Sequence, residues 1–192
     1  MHADDTQLIA RIRGGDRAAA TTLVDRHYAA VYAFLRRLSG SEADAADLTQ
    51  RAFVRAWQAI DRFAGRSSVA SWVHGIARHV WLDWLRRNHR ETHPGDAWWE
   101  AQPDGADRPD ARVAQDDLAA AVYAAVDGLP EDLRVTVHLH YYQELSLQET
   151  ALALEIAAST VKHRLRAAVQ QLRSLLAEPL SNPSRTSHPI PR

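Results

Sequence analysis

The chain has 192 residues, 46% hydrophobic and 24% charged, with a formal net charge of −1, which is enough apolar material for a packed core and enough length for one domain or two small ones. It contains no cysteine, so disulfides and thiolate metal sites are excluded and a reducing cytoplasm is the expected setting. No apolar run long enough to span a bilayer and no leader-like segment is read in it, so neither membrane insertion nor secretion is expected.

The near-neutral total hides a segregation of charge. Lys and Arg outnumber Asp and Glu by 14 to 9 over residues 1–90, fall to 2 against 8 over 91–117, and stand at 7 against 7 over 118–192. A basic module is followed by an acidic strap.

In chain order, residues 5–38 read as two helices, Thr6 to Arg13 and Arg17 to Leu38. Gly14-Gly15-Asp16 stops the first and caps the second, because glycine takes the left-handed backbone and aspartate accepts from the next helix's free amides. Leu23, Val24, His27, Val31, Phe34, Leu35 and Leu38 give the second helix a wide apolar face, on which His27 reads as a packed or hydrogen-bonded core residue. After the loop Ser39-Gly40-Ser41, a helix from Asp44 to Ile60 places Leu48, Ala52, Ala56 and Ile60 inward, with Phe53 and Trp57 beside them. Asp47, Gln50, Arg51, Val54 and Gln58 share its other side, which suits either solvent or a partner helix.

Asp61 to Ser71 breaks the period with a loop holding Phe63, Arg66 and Ser67. A helix then carries Trp72, Val73, Ile76, Ala77, Val80, Trp84 and Leu85 and ends in the basic run 86–90. Its indoles, with Trp81 as a third, and its arginines fit a platform for unpaired bases with phosphate anchors; Trp72 and Trp84 read instead as core. Residues 92–115 carry Pro94, Pro103 and Pro109 among acidic residues and read as a linker, unusual in holding Trp98 and Trp99. Asp116 or Asp117 opens the next helix, Gly128 ends it, and Pro130 takes the first position of another whose inner face is Val135, Leu139 and Tyr142. His138 and His140, two apart, point to different sides and make no helical metal pair.

Ser146 and Glu149 form a capping-box pattern. A helix with Leu147, Leu152 and Ile156 inward then runs to a turn at Glu155 to Ala158, after which Ser159 caps a second helix from Thr160. Val161, Leu165, Ala168, Leu172 and Leu175 line one side of that helix, while Lys162, Arg166, Gln170 and Arg173 line the other. This is a helix-turn-helix whose polar side suits a major groove, although an ordinary amphipathic hairpin gives the same stripe. The segment from Pro179 is rich in proline and serine and reads as a disordered tail. No HExxH, phosphate-cradling glycine loop or GxSxG occurs, and no cofactor is expected.

The stretches DAADLTQRAFVRAW (44–57), RFAGRSSVASWVHGIARH (62–79), LDWLRR (82–87), LPEDLRVTVHLHYYQELSLQETALAL (129–154) and STVKHRL (159–165) together resemble the extracytoplasmic-function group of sigma-70-type factors. The resemblance implies an all-α chain of two small helical domains joined by a flexible acidic linker: 1–90, which binds core polymerase and captures the minus-ten strand; the linker 91–115; 116–178, which reads the minus-thirty-five element; and the tail 179–192. It implies a cytoplasmic initiation factor that binds core RNA polymerase and promoter DNA, is held by an anti-sigma factor, and leaves the chemistry to the polymerase. Carried onto matching positions, polymerase docking falls to Asp47, Gln50, Arg51 and Arg55. Minus-ten contacts fall to Phe63, Arg66, Ser67, His79, Arg86 and Arg87. Minus-thirty-five contacts fall to Ser159, Thr160, Lys162, His163 and Arg166.

Three features depart from the family pattern. Glu155 stands in the turn where glycine is usual, His79 where asparagine is common, and Ala167 and Val169 where basic residues often follow the recognition helix. Two competing readings are a stand-alone helix-turn-helix regulator, which leaves the 44–57 face without a role, and a metal enzyme, which the ten histidines invite and their spacing refuses.

Overall fold

The computed structural model describes residues 3–91 and 113–177, and all the regular structure among them is helical. The expected linker with Trp98 and Trp99, and the expected tail, lie outside the described residues. The first group comprises α1 (Ala3–Arg13), α2 (Arg17–Ser39), α3 (Glu42–Ala59) with a single 3-10 turn at Ile60–Arg62, and α4 (Val69–Glu91). The second comprises α5 (Val113–Asp127), α6 (Glu131–Val137) running on into a π-helical turn at His138–Tyr142, α7 (Leu147–Leu154) and α8 (Ala158–Ala177).

Helix boundaries follow side-chain caps. Asp16 accepts from the Ala19 amide at 3.1 Å, and that bond, followed by the Arg11 guanidinium, holds its carboxyl below the ordinary range. Gly15, at φ 87, takes the left-handed turn that a side chain resists. α3 begins two residues before the expected Asp44 because Ser41 caps it, its hydroxyl accepting from the Asp44 amide. α4 begins at Val69 rather than after Ser71, since Ser68 accepts from the Ser71 amide at 3.2 Å. α5 begins at Val113, ahead of the predicted Asp116, and Pro130 sits at the cap of α6 rather than at its first helical position.

The α1–α4 core is built from Leu8, Ile12, Val31, Phe34, Leu35, Leu48, Val73 and Val80. Two ties fix α1 to it. Asp5, buried, takes Arg26 and His27, the latter at 3.2 Å, so His27 is a hydrogen-bonded core residue as its place on the apolar face implied. Arg13 donates to the carbonyls of Ile60, Asp61 and Phe63, satisfying acceptors left open where α3 runs out. Among the described indoles the fully buried one is Trp81, at 1% exposure; Trp72 and Trp84 are half-buried against the core.

The second group has a core of Val126, Leu129, Leu133, Val137, Ala151, Val161 and Leu165. Val135, Leu139, Leu145, Ala153 and Leu154 belong instead to the cluster of the first group. The two groups are therefore packed on one another, principally α7 against α4. A Cβ added at Gly75 would lie 3.4 Å from the Ala153 carbonyl oxygen and 3.5 Å from its Cα, so the helices cross with almost no side chain between them. Ser71, completely buried, donates its hydroxyl to the Glu149 carbonyl at 2.7 Å across this crossing. At the edge, Arg37 lies 4.0 Å over the Tyr123 ring and 3.9 Å from Asp127.

Two expectations in the helix-turn-helix are corrected. Leu152 is 50% exposed rather than inward; Ala151, Ala153 and Leu154 are the buried apolar residues of α7, because it must pack on α4 as well as on α8. Ser159 is not the cap of α8, which starts at Ala158 with the Thr160 and Val161 amides both donating to the Ala157 carbonyl. The capping box is present: the Ser146 hydroxyl accepts from the Glu149 amide, and the Glu149 carboxylate accepts from the Ser146 amide. Glu155 takes the turn in the left-handed conformation, φ 57 and ψ 39. That backbone costs a non-glycine residue about 1 kcal/mol.

His138 is buried, with neither ring nitrogen hydrogen-bonded, its ring tilted against that of Tyr142 with centroids 5.0 Å apart. Burial, then Arg37 and Arg134, lowers its pKa to about 4. His74, buried against Phe34, is lowered by burial as well. The unfolded chain therefore takes up these protons before the folded one; the stability His138 confers is full above about pH 6.5, the ordinary histidine value, and lost as pH falls toward its folded value of about 4, and His74 acts in the same direction. Across that window wild type should lose up to about 1.4 kcal/mol per pH unit relative to His138→Phe, measured as the difference in urea midpoints between near-neutral and mildly acidic buffer; equal losses in both proteins would show that His138 does not carry the effect.

Candidate nucleic-acid interface

α8 is held so that one side faces its own core and the other faces solvent. Val161, Leu165 and Ala168 are buried. Arg164 turns inward and pairs with Asp132 of α6 at 3.3 Å, which fixes the rotation of α8 about its axis. Ser159, Thr160, Lys162, His163 and Arg166 are all exposed, and together they occupy the opening turns of the helix. Hydroxyls, an ammonium, an imidazole and a guanidinium grouped at a helix start are donors of the kind that phosphates and major-groove base edges accept. The five predicted residues are brought together here; Arg164, within the same run, is excluded by its ion pair.

The predicted minus-ten residues fall on the loop after α3 and on α4, but less uniformly. Arg66 and His79 are exposed and Ser67 is half-buried, facing a cleft of about 300 Å³ whose far wall is Leu152 and Glu155. Phe63 is 8% exposed and packs on Trp72 with ring centroids 5.0 Å apart. It presents no face to a base in this arrangement. Arg86 and Arg87 lie at the far end of α4, folded back onto Asp83: Arg86 pairs with its carboxylate and Arg87 donates to its carbonyl at 3.1 Å. The Asp83 carboxyl is held below its usual range, first by the hydrogen bond from Arg55.

On α3, Asp47, Gln50 and Arg51 are exposed, with Asp47 and Arg51 paired at 2.8 Å one turn apart. Arg55, exposed one turn beyond Arg51, reaches 2.9 Å to Asp83 and ties α3 to α4. Trp57, read from sequence as flanking the inward face, is 52% exposed, with Val54 at 51%. Farther along this side Phe53 stacks on Tyr28 at 6.0 Å. An apolar patch inside a charged rim is the composition of a protein-binding surface. The indole escaped sequence reasoning because a tryptophan at the edge of an apolar stripe satisfies the helical period whichever way it turns.

Among the described residues no helix is long and apolar enough to cross a membrane, and no group of three His, Asp or Glu residues is placed to hold a metal ion.

Comparison with known proteins divides the chain into the same two groups of helices. Sigma-70 region 2 matches residues 23–91, and sigma-70 region 4 matches residues 119–172. The chain is 34% identical over 170 residues to the ECF RNA polymerase sigma factor SigE of Mycolicibacterium smegmatis, covering 85% of this chain and 65% of that relative. It is 34% identical over 166 residues to the ECF RNA polymerase sigma factor SigX of Bacillus subtilis, covering 82% of this chain and 85% of SigX. Among solved structures, CnrH in complex with the cytosolic domain of CnrY superposes with a TM-score of 0.69 at 25% identity, covering 91% of this chain and 98% of that one. The sigma factor RpoE of Bartonella quintana, in complex with the anti-sigma factor NepR, shares the fold with a TM-score of 0.66 at 23% identity, covering 82% and 96%. Two sigma regions in order, on two helical units, and a relative at this identity over most of both lengths place the chain in the extracytoplasmic-function subfamily of sigma-70 RNA polymerase sigma factors.

Proposed function

We propose that this chain binds core RNA polymerase and directs it to a defined set of promoters, with residues 1–90 and 116–178 acting as its two working units. The observation that carries this reading is the grouping of Thr160, Lys162, His163 and Arg166 on the open side of α8, in a chain whose other unit carries an exposed apolar and charged patch on α3. The first suits duplex DNA and the second suits a protein helix. A stand-alone DNA-binding regulator would have no use for the second.

In this division of labour Asp47, Gln50, Arg51 and Trp57 dock on the polymerase. Arg66, Ser67 and His79 contact the unpaired minus-ten strand, joined by Phe63 once it turns out from Trp72; Arg86 and Arg87 anchor phosphates. Ser159, Thr160, Lys162, His163 and Arg166 hold the minus-thirty-five duplex. The basic excess of residues 1–90 supplies salt-dependent attraction without sequence information, while the few base contacts discriminate by about 1–3 kcal/mol each. The factor contributes binding energy to an opened DNA conformation and performs no bond chemistry. It works in the cytoplasm under the hold of an anti-sigma factor, and the complex of CnrH with the cytosolic domain of CnrY supports a protein partner of this kind.

Run-off transcription with core polymerase on a pool of the source genome's promoters tests the whole reading: selective transcripts are expected, whereas duplex retention without polymerase binding would favour the stand-alone regulator. Lys162→Ala with Arg166→Ala should abolish promoter selection and leave polymerase affinity unchanged; simultaneous loss of both would remove α8 from DNA reading. For the docking surface, Asp47→Ala with Gln50→Ala should weaken the polymerase complex by severalfold, and Trp57→Ala by about tenfold or more, as an aromatic anchor does. Titration by fluorescence anisotropy measures both, and unchanged affinity in both variants would place the docking surface elsewhere.

A further inference from the structure

The helix-turn-helix presents two carboxylates to the strand-capturing surface of the other unit. Glu149 lies over the start of α4: its backbone carbonyl takes the buried Ser71 hydroxyl at 2.7 Å, and its carboxylate is held in the charged form first by the Ser68 hydroxyl. Glu155, at the end of α7, sits 3.6 Å from the His79 ring; half-buried Arg78 is pushed below the ordinary guanidinium range by burial, and the Glu155 carboxylate acts against that shift. The backbone of Glu155 is left-handed and strained for any residue but glycine. A carboxylate is thus kept where glycine fits best, and it points at the other unit.

A carboxylate and a phosphodiester offer the same thing to a serine hydroxyl, an imidazolium or a guanidinium: anionic oxygen acceptors. We propose that, in the free chain, Glu149 and Glu155 occupy the places that the phosphates of the minus-ten strand take on Ser68, Arg78 and His79. The turn of the helix-turn-helix is then an internal stand-in for single-stranded DNA, and strand capture requires α7 to leave α4. This inference rests on the assignment of the 63–79 surface to the minus-ten strand.

The magnitudes divide the work. Glu155 and His79 are 69% and 46% exposed, so their attraction is weak and salt-screened. The packing of Leu139, Ala153 and Leu154 against the first unit supplies most of the closure. The carboxylates bias an equilibrium that the apolar crossing at Gly75 holds. Removing Glu155 therefore changes capture by about two- to fivefold, whereas a wedge at the crossing changes it by more.

The test measures binding of a fluorescent, randomised single-stranded DNA pool to the full chain without polymerase. Glu155→Gly, which relieves the strain, and Glu155→Gln, which keeps the strain and removes the charge, should both bind about two- to fivefold tighter than wild type. Gly75→Leu should bind tighter than either, and Ala153→Leu, a wedge from the opposite helix, guards against one opened variant misfolding. The discriminating measurement is the double variant: in a Gly75→Leu or Ala153→Leu background the gain from Glu155→Gly should vanish, because the turn no longer lies on α4. An undiminished gain there would mean that Glu155 merely repels DNA, and the inference would fall. It would also fall if both wedges tightened binding while the Glu155 variants did not, leaving the closed form a purely steric cover. A separate arm tests the underlying assignment: Arg66→Ala with Ser67→Ala, in complex with polymerase, should impair binding of a premelted-promoter pool. No effect there would show that the surface itself was misassigned, whatever the Glu155 variants do.

Discussion

Gly75 lacks the side chain that would keep α4 and α7 apart, and the arrangement of the two units depends on that omission. With the Ala153 backbone at van der Waals distance, the Ser71 hydroxyl reaches a carbonyl on the facing helix. Leu139, Leu145 and Leu154 join a core made chiefly by the other half of the chain. A close helix crossing buries little area per residue but aligns everything on either side of it. Here it brings the turn of a DNA-reading motif onto the surface proposed to hold unpaired DNA.

Each unit also uses one arginine as a clamp. Arg13 closes the end of α3 by donating to three neighbouring carbonyls, and in doing so sets where the Phe63 loop departs. Arg164 fixes the rotation of α8 through Asp132, so that its neighbours Lys162, His163 and Arg166 face outward. In both cases a guanidinium spent on a partner within its own unit fixes the course of the chain around it.

Much of this is legible in the amino-acid order. The existence of the helices comes from apolar period, and the caps at Asp16 and Ser146 from the chemistry of short polar side chains. The solvent-facing set on α8 comes from its stripe. The departures have a common physical origin. Leu152 reads as inward because period alone assumes one buried face, whereas α7 packs on two neighbours and is buried through Ala151, Ala153 and Leu154. Trp81 rather than Trp72 or Trp84 is the innermost indole for the same reason: α4 also has more than one covered side. Ser159 looks like a cap because serine often is one, but the helix starts a residue earlier on backbone bonds alone. The pairing of Arg55 with Asp83 joins residues on different helices, which no local pattern announces.

The π-helical turn at His138–Tyr142 closes with the Gln143 amide on the His138 carbonyl, and so holds one residue more than an α-helical turn would. Each residue of a helix rotates the chain beyond it by about 100°. The turn still completes one revolution, so the additional residue is absorbed as a local widening of α6, and Leu145, the capping box and the reading motif leave it in the direction a regular helix would give them. A loss of one codon there would therefore be felt where it falls, as a tightening around His138 and Tyr142, and not as a change in the direction from which the motif meets its DNA.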